Sequence, residues 1–205
     1  MIKKLSILTL LTLGSLSASQ DLKPIIQMGY DFGGTTLATV EHDSYDNYSV
    51  NKIRAGQGLS FEAGAVLDAP NMELQFLIGY KFDQETASNG EVTWDVIPFT
   101  ALAMIKSNRW KFGGGVTYHL NPELSGNFEG YDNRGNYFQD KANDEYENAI
   151  GGVAQIQYMA TDNFAIGVKG TFIEYKLKED NSVTAKGNAV GVNFSYSFGA
   201  RSRFR

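Results

Sequence analysis

An all-β chain, folded as an eight-stranded antiparallel up-and-down transmembrane β-barrel, is what this sequence predicts. Three observations predict it. Apolar residues recur at every second position in eight stretches after Lys23, which is the period of strands and not of helices. The links between those stretches alternate short and long without exception, so every long link would emerge at the same end. The 205 residues include 13 Phe, 11 Tyr and 22 Gly, a composition that suits strands and turns.

The same composition excludes several functions. With no Cys there is no disulfide framework, thiol nucleophile or thiolate metal site. A net charge of −5 with 20% charged residues gives no basic footprint, so nucleic acid is not an expected partner.

Met1 to Ser19 reads as a secretory signal. Lys3 and Lys4 form a positive n-region, Leu5 to Leu16 an apolar h-region, and Ser17-Ala18-Ser19 a small-residue cleavage site. The run is shorter than the roughly 20 apolar residues that a membrane-anchoring helix needs. Residues 20–205 are then the barrel domain, with 16 basic against 23 acidic side chains.

The stretches follow in order. Ile26, Met28, Tyr30 and Phe32 alternate with Gln27, Gly29 and Asp31; Leu59, Phe61, Ala63, Ala65 and Leu67 with Ser60, Glu62 and Gly64; Leu74, Phe76, Ile78, Tyr80 and Phe82 with Glu73, Gln75, Gly79 and Lys81. In the fourth, Val92 to Ile105, Trp94, Val96, Leu102 and Met104 set the apolar face, with Ile97 and Phe99 out of phase. Pro98 removes a ladder hydrogen bond in mid-strand, so a bulge is expected there. Trp110, Phe112, Val116 and Tyr118 oppose Lys111, Gly113 and Gly115; Ile150, Ala154, Ile156 and Tyr158 oppose Gly151, Gln155 and Gln157. Phe164, Ile166, Val168 and Phe172 oppose Ala165, Gly167, Lys169 and Thr171, and finally Val190, Val192, Phe194, Tyr196 and Phe198 oppose Gly191, Asn193 and Ser195. Residues 68–71, 106–109 and 160–163 are the short turns; 34–56, 83–91, 121–148 and 178–187 are the long links.

Period two shows two faces but not which one meets water, so a soluble lipocalin-like barrel must be weighed against a membrane barrel. Glycine placement favours the membrane form. The polar face holds Gly29, Gly33, Gly64, Gly79, Gly113, Gly115, Gly151, Gly167 and Gly191, the apolar face only Gly114, Gly152 and Gly170. Glycine adds nothing to a solvated surface but suits a crowded interior barely wide enough for side chains. Aromatic residues then form two girdles: Tyr30, Phe32, Phe61, Tyr80, Phe82, Trp94 and Tyr118 near the long links, and Trp110, Phe112, Tyr158, Phe164, Tyr196 and Phe198 near the short turns.

On these features the chain resembles the small eight-stranded outer-membrane barrels of Gram-negative bacteria, the group of OmpX and the OmpA membrane domain. The last strand, Gly191 to Phe198, is similar to the C-terminal signal read by the barrel-assembly machinery, with Gly191, Phe194, Tyr196 and Phe198 in its pattern. The resemblance implies residence in the cell outer membrane, both termini periplasmic, with membrane lipid, lipopolysaccharide and the assembly machinery as partners. It also implies that the long loops are open to an extracellular protein or surface ligand.

The expected lumen holds Asp31, Glu62, Glu73, Asp95, Lys81, Lys111 and Lys169. Four acids against three bases in a narrow interior suggest an ion-pair network, read either as a conductance path or as a solid polar core. Catalysis finds little support, and no cofactor is expected. His42 lies beside Asp43, but neighbours on an extended strand face opposite ways. His119 is read first as a surface histidine, with an inward position near Ser60 as the alternative that an outer-membrane lipid A-modifying enzyme, a deacylase or acyltransferase, would need. The link 121–148 is acidic, with Phe128, Tyr131, Tyr137, Phe138 and Tyr146 interleaved, and reads as a solvated loop lacking calcium-loop spacing. Alternation around 37–40 and 50–53 suggests that the first link is a hairpin.

Overall fold

The computed structural model describes residues 21–44, 47–87, 90–131 and 137–199. The expected signal segment and the tail after Gly199 lie outside the described residues.

Eight strands close a barrel: β1 (Asp21–Gly33), β4 (Gly58–Asp68), β5 (Met72–Ala87), β6 (Gly90–Ser107), β7 (Trp110–Tyr131), β9 (Ala149–Met159), β10 (Phe164–Phe172) and β13 (Ala189–Ser197). Their order is β6-β5-β4-β1-β13-β10-β9-β7, and β6 pairs with β7 to complete the ring. All pairings are antiparallel. The first and last strands meet over nine residues, from Ile25↔Ser197 to Gly33↔Ala189. Phe198 N donates to Pro24 O, which places both ends of the described chain beside the short turns. In one of those turns Asn108 takes φ 53°, a left-handed value that asparagine tolerates.

The long links are not loops. β2 (Thr36–Ser44) and β3 (Asn47–Arg54) form the hairpin expected there, and β8 (Tyr137–Glu145) extends the sheet beside β7. β11 (Glu174–Lys176) and β12 (Thr184–Lys186) form a fourth, short hairpin. Above the barrel these extensions enclose an apolar core of Val40, Ile53, Val92, Trp94, Leu124, Tyr146, Ile173, Tyr175 and Ala185, with smaller residues between. Strand pairing continues past the barrel rim because alternate residues still have something to pack against.

The faces are inverted relative to a water-soluble barrel. Phe32, Phe61, Phe76, Ile150, Val168 and Val190 are exposed, whereas Gln27, Asp31, Glu62, Gln75, Lys81, Gln155, Lys169 and Asn193 are buried. Water-soluble monomers rarely show so continuous an apolar surface.

Strand β6 corrects the sequence reading. Its even positions, Val92, Trp94, Val96, Leu102 and Met104, face inward and are buried, while Phe99 and Ile105 are exposed outside. Trp94 is therefore no girdle residue, and Asp95 lies on the outer face, opposite Glu123 of β7, not in the lumen. Both faces of β6 are apolar, so alternation alone cannot orient it. Room for Met104 and Leu102 comes from β7: a Cβ on Gly113 would collide with Met104 Sδ, and one on Gly115 would lie 2.9 Å from Leu102 Cα. The bulge also moves. Between Asp95↔Glu123 and Ile97↔Leu120 the extra residue belongs to β7, at Asn121-Pro122, where Asn121 has φ 46°. This shift reverses the phase of β7, so that His119 below it and Leu124 above it both point inward.

Candidate functional site

The interior is built in three layers. Nearest the short turns it is partly apolar, with Ile25, Val66 and Leu77 in one cluster and Leu102, Met104 and Val153 in another. Among them run amide contacts: Gln75 Nε2 donates to Glu73 Oε1 at 2.6 Å, and Gln157 Nε2 donates to Ser195 Oγ at 3.1 Å.

The middle layer holds ion pairs. Lys81 Nζ lies 2.8 Å from Asp31 Oδ2 and Lys169 Nζ 2.8 Å from Glu62 Oε1, while a third pair, Lys111 Nζ 2.8 Å from Glu73 Oε2, lies in the layer below, beside the short turns. Each of the six remaining lumenal charges thus meets one opposite charge. Alternation on β1, β4, β5, β7 and β10 turns all six inward. Small neighbours let them in: a Cβ on Gly191 would collide with Asp31 Oδ1. Lys81 also donates to Gly56 O at 2.5 Å. Taking two charges out of water is costly and is offset only by tight pairing of this kind. The cavity that Asp31, Ser60, Glu62, Lys81, His119 and Lys169 help to line has room for about one water.

The third layer is the cap. Tyr175 and His119 are 1% and 4% exposed, and Tyr175 Oη lies 2.6 Å from His119 Nδ1. The Trp94 ring meets Tyr146 and Tyr175 edge-on, each with centroids 5.4 Å apart. Burial raises the Tyr175 hydroxyl above its ordinary range, so it is protonated and able to donate to the imidazole. His119 is accordingly not the surface histidine expected, and its Nδ1 is engaged with the cap rather than with a nucleophile. Ser60 lines the same cavity, but its hydroxyl donates to Gly29 O at 3.4 Å. The side chain of His42 lies outside what the structure describes. Sequence reasoning missed Tyr175, although the inward phase of Thr171 on β10 continues through Ile173 to Tyr175. It also missed Asp68 at the opposite end, held between Lys23 at 2.6 Å and Lys106.

On the outer surface, Tyr30, Tyr80 and Tyr118 ring the barrel near the long hairpins, and Trp110, Tyr158 and Tyr196 near the turns. Trp110 packs on Phe112 and Tyr158 with centroids 6.1 and 5.0 Å apart. A hydrocarbon-like surface between two amphipathic rings, around a closed polar lumen, decides the architecture. The fold is that of the small eight-stranded outer-membrane barrels.

No protein-family model and no curated protein matches the chain. Among solved structures it is similar to Ail, the attachment invasion locus protein of Yersinia pestis, in complex with the heparin analogue sucrose octasulfate, at 11% identity and TM-score 0.48 over 88% of this chain and 100% of Ail. Neisserial surface protein A follows at 9% identity and TM-score 0.45, covering 88% of this chain and 100% of that one. The outer membrane protease OmpT of Escherichia coli stands at 11% identity and TM-score 0.38, covering 87% and 93%.

The long links are acidic in sequence: residues 34–57, 83–95, 121–148 and 174–188 together carry 17 acidic and 7 basic side chains, a net −10. Two of these acids are perturbed. Burial and then Glu85 raise the Asp83 carboxyl above its usual range, and burial and then Glu123 raise that of Asp95. Asp83 Oδ2 is buried with no hydrogen-bond partner among the described residues.

Proposed function

We propose that this chain is an outer-membrane β-barrel with a structural or surface-interaction role and no catalysis, its termini periplasmic and its long hairpins outside. The inverted barrel carries this reading: paired charges are enclosed while phenylalanine, valine and isoleucine face outward. In hydrocarbon an open edge would leave backbone groups unsatisfied, and a ring of eight strands has none. The apolar positions of β1 run from Leu22 to Phe32, a span suited to the ~9–11 residues of a tilted membrane strand.

The layered interior supports a role that lies outside the barrel. A nucleophile or base must be reachable by substrate, whereas His119 is covered by Tyr175 and the cavity beneath holds about one water. The same closure speaks against a narrow pore. The long-hairpin end is what remains to meet the surroundings, through lipopolysaccharide at its base and surface ligands above. A net −10 makes sulfated polyanions a poor match there.

Two measurements test the reading. Purified chain applied to a denaturing gel should migrate anomalously unheated and shift on boiling, as closed barrels do; a single unshifted band in lipid-reconstituted samples would overturn the barrel. Deleting the gene and replacing His119 with Ala should both leave the lipid A profile of the host unchanged; a deletion profile that differs from the parent and is reproduced by His119→Ala would establish the enzyme instead.

A further inference from the structure

One carboxylate at the foot of the first long hairpin is sealed where its charge is poorly met. Asp83 of β5 stands opposite Trp94 of β6 and is 7% exposed. It accepts from the Arg54 backbone N–H and from the Gln57 side chain, both at the foot of the β2–β3 hairpin. Its Oδ2 is buried with no hydrogen-bond partner among the described residues. A charged oxygen left buried and unbonded is costly, and either a proton or a water shell removes the cost. β5 and β6 are fixed in the barrel wall, so water reaches that oxygen only where the hairpin foot covers it.

The hairpin is jointed where it meets the barrel. Gly33 and Gly34 precede β2 and Gly58 opens β4, with φ of 127°, 90° and 140°, backbone that glycine adopts readily. Between these joints Ala55 N donates to Thr35 O and Thr35 N to Lys186 O, a short axis about which the hairpin can swing. Beyond the axis Asn51 Nδ2 donates to Glu85 Oε2 at 2.9 Å, and Val40 and Ile53 pack into the core with Val92 and Trp94. Glu85 lies two residues past Asp83, on the same face of β5, so a second negative charge stands beside the first. Among the described side chains, the other charged or titratable neighbours are Lys81 on the same strand, Tyr30 on β1 and Arg54 itself, while β6 presents Val92, Trp94 and Val96. Lys81 is committed to Asp31 at 2.8 Å and to Gly56 O at 2.5 Å, and makes no ion pair with Asp83.

We propose that the β2–β3 hairpin is an acid-closed flap: while Asp83 is protonated the hairpin stays clasped over the core it shares with β5 and β6, and ionisation of Asp83 parts it from them. Only the open form hydrates the carboxylate, so the closed form binds the proton more tightly. Acid therefore favours closure and rising pH favours opening. What parts is the apolar face of Val40 and Ile53 from Trp94, so the flap sets how much apolar surface the long-hairpin end shows. The inference needs the closed barrel but neither its orientation in the membrane nor the surface-interaction role.

The test uses the refolded full chain in detergent, carrying Thr39→Cys on β2 and Thr86→Cys on β5, both exposed, with a nitroxide on each; the sequence has no cysteine of its own. Pulsed double electron–electron resonance should give one short distance at about pH 4 and a longer, broader distribution at about pH 8. With Asp83→Asn added, the short distance should persist at both. A parent distribution that does not change with pH overturns the proposal, and so does a pH response that survives Asp83→Asn. Loss of the boiling-dependent gel shift at either pH would mean that the whole barrel responds, which overturns the flap as well. Variants are compared only after that shift matches the parent, and Asp83→Ser takes the place of Asp83→Asn should the latter not refold.

Discussion

Lys169 is enclosed within the lumen. Its ammonium is buried and reaches one carboxylate, Glu62, at 2.8 Å. Removing one partner strands the other, so Lys169→Met should destabilise the barrel by about 3–5 kcal/mol, read as a lower urea midpoint, while Lys169→Met with Glu62→Met should recover most of the loss. Asp83 presents the opposite case, a carboxyl whose acidity is weakened by burial and by Glu85. Because the folded value is the higher one, ionisation opposes folding at neutral pH. That penalty disappears below roughly pH 4, where the group is protonated in both states. Asp83→Asn should therefore slow proteolysis of the long hairpins at pH 7 and leave it unchanged near pH 3.5. The lumenal charges were legible from alternation because a charged residue amid apolar neighbours has only one tolerable side. The partners were not, since pairing crosses the barrel between residues as distant as Glu62 and Lys169.

Among the strands, β7 shows how glycine sets the fit. A Cβ on Gly115 would collide with the Ala101 carbonyl, whereas one on Gly152 of neighbouring β9 would meet nothing within 4 Å. Gly115→Ala should abolish the compact unheated gel band and Gly152→Ala should keep it; the reverse outcome would contradict the assigned faces. Seven of the barrel strands could be oriented from sequence, because one face of each was plainly polar or glycine-rich. β6 could not. It is apolar on both sides, with Trp94 and Met104 inside and Phe99 and Ile105 outside, and the space that settles the matter is supplied by Gly113 and Gly115 on another strand. The hairpin nature of 121–148 was hidden for a related reason: its buried positions, Leu124 and Tyr146, pack against Trp94 and Tyr175 from other links, and no local pattern reports that.

For the molecule as a whole, a lumen with space for about one water should carry no current. Planar-bilayer recording of the purified chain is expected to be silent, and discrete steps would show that the layers seen here separate. Stability should also be divided. Trp94→Ala, which empties the largest side chain from the cap, should cost about 3–5 kcal/mol locally and speed proteolysis of the long hairpins while the boiling-dependent gel shift persists.

The ring is sealed by the pairing of Ile25 through Gly33 with Ala189 through Ser197, the first and the last of its eight strands. Nothing resembling the finished cylinder can exist until the strand Ala189–Ser197 has been made, and any chain cut short before Ala189 would expose two bare strand margins to its neighbours. Such distant contacts make for slow assembly and a long window of vulnerability to aggregation. Closure is therefore a late and cooperative event, which no partial set of strands can anticipate.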